Sequence, residues 1–243
     1  MLKICAVGIL VLALAGCGAP RARQAAPAVQ ENSASSPAVS ASGRVYRIDE
    51  KESELRVLVY RAGPLARLGH NHVMVNRAIR GSVTVADAVG GRAPVAGAGA
   101  SAGSAGMSSF SLSVPVAGFV VDDAQARREE GADFAAEVPD DARAGTLRNM
   151  QSTAVLDADE FPAISVSGVD IAEKTAAVAI NVAGHESKIE VPFALRLDAG
   201  RLVASGSVEL RQTALGLTPY SLMLGALQVQ DALTVKFKIV AEL

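Results

Sequence analysis

Residues 233–242 read LTVKFKIVAE, a run in which apolar side chains occupy every second position. Leu233, Val235, Phe237, Ile239 and Ala241 share one parity, and the intervening positions are mostly polar. A period of two places alternate side chains on opposite faces of a β-strand. The run therefore predicts a strand with one apolar face and one mainly polar face.

The same alternation recurs along most of the chain, at 55–60, 82–85, 111–116, 164–168, 177–182, 188–197 and 202–210. Turn signals such as Asp198-Ala199-Gly200 and Glu173-Lys174-Thr175 separate successive runs, which favours antiparallel hairpins. Only residues 122–150 have helical composition, and they predict one or two short helices.

Strands with one apolar face must either stack as two sheets or close on themselves. Closure removes the sheet edges that invite aggregation. We therefore expect a mainly β fold, an antiparallel β-barrel of about eight strands, in preference to a sandwich.

The N-terminus predicts export. A positive charge at Lys3 precedes an apolar run over 4–15, which is too short for a permanent membrane helix. The run ends in LAGC at 14–17, which resembles the lipobox of bacterial lipoproteins. We expect residues 1–16 to be a signal peptide and Cys17 to carry the lipid anchor; an ordinary secretory signal is the alternative. Gly18, in place of an aspartate, favours the periplasmic side of the outer membrane.

The composition of the rest of the chain separates a low-complexity tether from a domain. Residues 17–43 are rich in Ala, Pro, Ser and Gln and predict a disordered tether, and residues 44–243 predict one domain with its own core. A second low-complexity stretch at 90–109 predicts a flexible insertion, with a domain boundary as the alternative. The two cysteines are Cys5 and Cys17, so the mature domain has no thiol for a disulfide or for catalysis.

Two function classes are disfavoured. The formal net charge is -2 with both signs interspersed, so we expect no nucleic-acid partner. The chain has no G-x-S-x-G elbow, no H-E-x-x-H and no phosphate-binding glycine loop, so we expect no enzyme. Pairs of acids near the expected helix starts predict helix caps and solvated charge instead of a catalytic pair. They are Asp122, Asp123, Glu129, Glu130, Asp140 and Asp141.

Short motifs over about 200 residues resemble, in their order, those of the YceI family of bacterial periplasmic proteins. They are Tyr46-Arg47-Ile48-Asp49 with Ser53, Arg80-Gly81-Ser82-Val83, Leu147-Arg148-Asn149-Met150, LDADEFPAI at 156–164, Gly184 with Ser187-Lys188, RQTALGL at 211–217 and QDALTV at 230–235. Leu215 and Ser187 depart from the family pattern, where phenylalanine and threonine stand, and 90–109 is an insertion.

The resemblance implies a lipocalin-like barrel whose apolar bore holds a polyisoprenoid or an isoprenoid quinone. The residues independently supply an uncharged and mainly aliphatic interior, with six Phe, three Tyr and no Trp in the chain. A dry, filled core is the alternative. The resemblance also allows a homodimer, although no residue requires one. The residues expected to line the bore are Val57, Val83, Met150, Ile164, Phe193, Leu195, Leu202, Val235, Phe237 and Ile239.

His70 and His72 are the one concentrated polar motif. Histidines two positions apart on a strand point to the same face, so this pair is a candidate contact for a ligand headgroup. Hydrogen-bonded structural histidines are an alternative. A second function hypothesis, a metal- or haem-binding protein, uses the same pair, with His185 as the third ligand.

Overall fold

The computed structural model describes residues 43–86, 107–172, 174–198 and 200–243. The strands are β1 Gly43–Ile48, β2 Glu54–Ala62, β3 His72–Asn76, β4 Arg80–Ala86, β5 Met107–Pro115, β6 Phe119–Val121, β7 Ala163–Ile171, β8 Thr175–Val182, β9 His185–Pro192, β10 Ala194–Asp198, β11 Arg201–Arg211, β12 Ser221–Leu222 and β13 Leu227–Glu242. The α-helices are α1 Ala124–Glu130 and α2 Asp140–Gln151, and 3₁₀ turns occur at Ala66–Leu68, Val116–Gly118, Ala132–Phe134, Thr213–Leu215 and Met223–Gly225.

The expected signal peptide at 1–16, Cys17 and the tether up to residue 42 lie outside the described residues. So do residues 90–106 of the expected insertion. Residues 107–109 were expected in that insertion, but they are the first residues of β5, because Met107 is buried opposite Val85 of β4. Within the described ranges, no helix is both long and apolar enough to cross a membrane.

All paired strands are antiparallel and belong to one sheet of thirteen strands. Four pairs of them (β1 with β2, β3 with β4, β5 with β6, β9 with β10) are consecutive pieces of longer strands. When each pair is counted as one strand, the four pairs together with β7, β8, β11 and β13 give eight strands around the barrel. The two-residue β12 pairs with β13 outside this order. The expected mainly β, antiparallel barrel fold with two short helices is confirmed.

The ring is not closed by hydrogen bonds alone. β9 pairs with β8, whereas β10 pairs with β11, and only Phe193 separates β9 from β10. No register joins β9 directly to β11 in the described parts of the chain. The alternating run at 188–197 is therefore two strands, with Pro192, which has no backbone N–H for a ladder, at the break.

The strand directions define two ends. β13 starts at one end, here called the upper end, and finishes at the other, the lower end; β2 runs antiparallel to it and finishes at the upper end. The upper end therefore holds residues 63–71, 122–162, 183–184 and 212–226. The lower end holds the start of β1 and the connections from β7 to β8 and from β10 to β11.

A densely packed cluster occupies the lower end. It consists of Tyr46, Val83, Val85, Met107, Leu202 and Ala241, all buried. A separate cluster covers the outer face of β2 and β3, where α1 and the following turn pack against the sheet; it consists of Leu58, Val73, Val75, Ala126 and Phe134. α1 starts where the Asp123 carboxylate accepts the Ala126 N–H at 2.9 Å, as expected for an acidic cap.

Candidate functional site

A cavity of about 460 Å³ lies inside the barrel. Ligand pockets in proteins commonly have volumes of roughly 300 to 1,000 Å³, so this interior is large enough to hold a guest. Its wall is built mainly from the inward-facing positions of the alternating strands and is mostly aliphatic. The phenylalanines and tyrosines in it are Phe110, Phe119, Phe193, Phe237, Tyr60 and Tyr220.

Two cross-strand pairs keep space open beside these rings. Phe110 lies opposite Gly168, and Phe237 lies opposite Gly206. A Cβ atom built on Gly168 is 2.5 Å from Cε1 of Phe110, and one built on Gly206 is 2.6 Å from Cζ of Phe237. Each glycine therefore allows a phenyl ring to lie over its backbone.

The lower end of the cavity is apolar and closed. Val83, Met107 and Leu202 are wall residues that also belong to the buried cluster at the lower end. Tyr46 and Leu202 have no exposed surface. A guest therefore meets a hydrocarbon floor at this end.

Polar side chains in the wall lie at the upper end, either in its connecting segments or in the adjoining ends of β2, β3 and β13. They are Tyr60, Arg61, His70, His72, Thr146, Asn149, Gln212, Tyr220 and Gln228. Met150, Val155 and Leu156, at the end of α2 and just after it, complete the wall there. The cavity is thus amphipathic along its length, with an apolar body and a polar upper end.

A buried acid fixes one of the two neighbouring histidines. Nδ1 of His72 lies 2.7 Å from Oδ2 of Asp122, and Nε2 lies 3.3 Å from the Thr146 hydroxyl oxygen. The other Asp122 oxygen accepts the Val73 N–H at 2.9 Å and a hydrogen bond from the Arg127 guanidinium. Arg127 also donates to the carbonyl oxygens of Asn71 and Ala136. Since a carboxylate accepts, Nδ1 of His72 carries the proton of this bond.

Asp122 is only 2 % exposed and has a positive φ of 57°. Burial opposes ionisation of this carboxyl, but the hydrogen bonds from His72 and Val73 and the contact with Arg127 outweigh burial, so its pKa is lowered. The expectation that Asp122 is a cap or a solvated charge is wrong. Asp123, one residue later, is the cap.

His70 lies beside His72, with 6.1 Å between the ring centroids. Burial lowers the pKa of His70, and the neighbouring His72 lowers it further. Its neutral form is therefore favoured in the folded protein. Both histidines contribute to the cavity wall, but only His72 is on a strand, because β3 begins there and His70 lies in the preceding loop.

His185 does not join them. It lies in β9, where Gly216 approaches its ring. Among the described residues, no group of three His, Cys, Asp or Glu side chains is arranged to hold a metal ion. Both ring nitrogens of His72 have protein partners, so the structure gives no support to the metal or haem hypothesis.

Nine of the ten residues expected to line the bore contribute to the cavity wall. They are Val57, Val83, Met150, Ile164, Phe193, Leu202, Val235, Phe237 and Ile239. Leu195 does not; it packs against the lower cluster instead. Their contact with a ligand stays a prediction.

Sequence reasoning missed Thr146, Asn149, Gln212 and Tyr220, together with Asp122 and Arg127 behind His72. These side chains come from separate upper segments, and no motif connects them. Asn149 and Gln212 stand in the LRNM and RQTALGL motifs, but nothing in those motifs marked them as cavity residues.

The family model of the YceI-like domain matches residues 46–241. The comparison with curated proteins gives no match. Among solved structures, Burkholderia cenocepacia BcnA is similar with a TM-score of 0.50 at 13% identity, over 80% of this chain and 99% of that one. A polyisoprenoid binding domain from Saccharophagus degradans, described as implicated in plant cell wall breakdown, has a TM-score of 0.49 at 12% identity, over 81% of this chain and 97% of that one. At these identities, the likeness to BcnA concerns the fold.

Proposed function

This chain belongs to the YceI-like domain family, and from that premise we propose that it binds a long-chain amphiphilic lipid, a polyisoprenoid or an isoprenoid quinone, inside its barrel. It acts as a binding protein and not as an enzyme. Carriage or storage of the lipid in the cell envelope follows as its role.

The observation that carries this proposal is the amphipathic cavity of about 460 Å³. Burial of each methylene of a guest contributes roughly 0.8 kcal/mol, so a long hydrocarbon chain needs no polar contact to bind. Space that the protein's own side chains leave unfilled would otherwise cost stability, because empty apolar cavities lose packing contacts. A hydrocarbon guest restores those contacts.

The arrangement of polar groups sets the direction of the guest. Its tail lies on the apolar floor near Leu202, and its headgroup lies at the upper end near His70, His72 and Thr146. Because Asp122 orients His72, the imidazole presents a fixed edge there. Because His72 already holds the Thr146 hydroxyl, a quinone carbonyl is a suitable partner for His70 and Asn149, and a terminal hydroxyl is a suitable partner for Thr146 as well.

The place of action is part of the proposal. Cleavage after residue 16 and lipidation of Cys17 would hold the barrel at the periplasmic side of the outer membrane. The low-complexity residues after Cys17 would serve as its tether. A homodimer is compatible with this role and is not required by it.

Native mass spectrometry with lipid extraction tests the binding function. The full chain is compared with Ala204→Phe, which places a ring at a wall position, and with Ala194→Phe, at an exposed position of β10. We expect a co-purifying isoprenoid with the wild type and with Ala194→Phe, and at least tenfold less with Ala204→Phe. Circular dichroism shows whether each variant is folded.

A wild-type protein that carries no lipid, and that takes up neither an added polyprenol nor an added quinone, would overturn the proposal. So would equal lipid occupancy in a folded Ala204→Phe variant.

A further inference from the structure

The two most exposed large apolar residues of the described chain are adjacent at the upper end. Met223 is 73% exposed, Leu224 is fully exposed, and Leu222 beside them is 43% exposed. We call residues 222–224 the tip. Three consecutive large apolar side chains that are exposed to water indicate an interaction site.

The backbone holds the tip in an unusual conformation. Met223 and Leu224 have φ angles of 51° and 57°, in the left-handed region, which is unfavourable for residues other than glycine. Hydrogen bonds fix both sides of the turn: Leu222 pairs with Leu227, and the Ala226 N–H donates to the Met223 carbonyl at 3.2 Å. The tip is therefore a projecting turn held by hydrogen bonds, and its exposure is not the result of a loose loop.

A second segment lies against the tip. The Leu65 N–H donates to the Ala226 carbonyl at 2.8 Å, and Gly63 allows a close approach to the same carbonyl. This segment exposes Leu68 at 62% and also presents Arg67. The apolar surface thus extends over two neighbouring loops.

The two loops that form this surface carry basic residues and no acid, whereas the acids of the upper end lie in 122–162. Arg61 and Arg67 are exposed, and Arg61 donates to the Gly69 carbonyl at 2.6 Å, which holds it at the same edge. Neither 61–72 nor 212–230 contains an aspartate or a glutamate. An apolar projection flanked by arginines is complementary to a layer of hydrocarbon below anionic headgroups.

The tip also borders the cavity. Tyr220, Leu222, Leu227 and Gln228 contribute to the cavity wall, whereas Met223 and Leu224 do not. Apolar surface therefore continues from the cavity, past Leu222, to the exterior. A lipid that moves along this path remains in contact with hydrocarbon.

We propose that the tip inserts into the surface of a phospholipid bilayer and places the upper end of the cavity against the acyl chains. The inference rests on the proposed lipid-binding function and names the partner from which that lipid is exchanged. Two copies joined through this surface would bring Arg61 and Arg67 of each toward those of the other, which disfavours self-association here.

Tryptophan fluorescence tests insertion, because the chain contains no tryptophan. The full chain with Leu224→Trp is mixed with vesicles of phosphatidylcholine and phosphatidylglycerol. The matched control is Val45→Trp, since Val45 is 51% exposed and lies in β1 near the lower end. Any association through the N-terminal region is common to both variants.

We expect the emission of the Leu224→Trp variant to shift to the blue and to be strongly quenched by brominated phospholipid, with neither change for Val45→Trp. Vesicles of phosphatidylcholine alone should give a weaker response, because the arginines lose their anionic partners. Unchanged emission from Leu224→Trp, or an equal response from both variants, would overturn the inference. A blue shift of Leu224→Trp without vesicles, on raising the protein concentration, would indicate a second copy at the tip and would overturn it too.

A second pair of variants separates docking from lipid binding. Met223→Asn with Leu224→Asn removes apolar surface and introduces a residue type that tolerates the left-handed region. Its control is Val45→Asn with Val120→Asn, since each of these valines is 51% exposed. We expect the tip variant to take up lipid from vesicles at least tenfold more slowly than the control.

The amount of co-purified lipid distinguishes the two proposals. Lipid present in the wild type, with equal uptake rates for the tip variant and its control, overturns the docking inference alone. Insertion of the Leu224→Trp side chain into vesicles, by a protein that never carries lipid, overturns the binding function and leaves docking in place.

Discussion

Nδ1 of His72 lies 2.7 Å from Oδ2 of Asp122, and the two residues are 50 positions apart in the chain. The contact joins the start of β3 to the residue that precedes the cap of α1. The same carboxylate also accepts hydrogen bonds from the Val73 N–H and the Arg127 guanidinium. It therefore fixes the part of the cavity wall where the headgroup of a guest is expected. The polar end is therefore set by a buried ion pair and not by solvent.

Asp122→Asn should destabilise the protein strongly. The substitution leaves the Arg127 guanidinium, in a side chain that is itself buried, without its carboxylate. Removal of one partner from a buried pair costs about 3–5 kcal/mol. Urea unfolding followed by circular dichroism measures the change in the free energy of unfolding.

The control for that variant is Glu50→Gln, which breaks an exposed pair with Arg80. A change of at most about 1 kcal/mol is expected there. If both variants lose the same small amount, Asp122 does not have the role assigned to it.

Acid should remove the advantage of the wild type over Asp122→Asn. The folded-state pKa of Asp122 is lowered by its hydrogen bonds against the effect of burial, so its contribution is complete above its unfolded pKa of about 3.9 and is lost as the pH falls through the folded value. The difference in unfolding free energy between the two proteins should therefore be constant near neutrality and shrink below about pH 4. Unfolding curves measured from pH 7 down to pH 3 give this difference, and one that stays constant throughout contradicts the assignment.

The alternation of side chains was sufficient to predict the sheet. In 233–242 it assigned Leu233, Val235, Phe237 and Ile239 to one face, and all four are in the cavity wall. A period of two depends only on local geometry, so it is visible without tertiary information. It could not show that the run at 188–197 breaks at Phe193, because that break depends on a change of partner strand.

The roles of Asp122 and Asp123 illustrate what the sequence could not show. The two acids are adjacent, yet one caps α1 and the other is buried between His72 and Arg127. The difference arises from the turn at Asp122, whose positive φ directs its side chain inward toward β3. Contacts of this kind depend on how distant segments pack, and no local pattern encodes them.

Ser53→Ala should weaken the junction between β1 and β2. Both strands pair with β13, on either side of Val240, and Ser53 fills the gap: its hydroxyl accepts the Val240 N–H at 2.9 Å and donates to the Val240 carbonyl at 3.2 Å. Ser53 is 1% exposed, so alanine leaves a buried N–H unpaired at a cost of about 1–3 kcal/mol. Thermal or urea unfolding measures this loss of stability.

The control is Ser187→Ala, which removes an exposed hydrogen bond to the Ala214 carbonyl and should cost about 0.5 kcal/mol or less. Equal losses of stability in both variants would contradict this role for Ser53.

Gly206→Ala should be more destabilising than Gly168→Ala. A methyl group on Gly206 collides with the backbone carbonyl of Pro192 as well as with Phe237, whereas on Gly168 its closest neighbours are atoms of the Phe110 ring, which can rotate away. Overpacking of this kind costs about 1–3 kcal/mol, and Gly206→Ala should lie at the upper end. Urea unfolding of both variants gives the order, and the reverse order would show that the carbonyl at Pro192 yields more readily than the ring.

The stability of the protein near pH 6 should depend on His70. Burial and the neighbouring His72 lower the pKa of His70 in the folded state, so protons bind it more readily in the unfolded chain. Its contribution to stability is therefore complete above the unfolded pKa of about 6.5 and is lost as the pH falls toward the folded value. The melting temperature of the wild type should fall more than that of His70→Asn when the pH is lowered from 8 to 5.5. Because Asp122 and the other histidines are unchanged in the variant, the difference between the two curves isolates His70. An equal fall in both proteins would mean that His70 is as accessible to protons in the fold as in the unfolded chain, and that the cavity wall beside His72 is open to water.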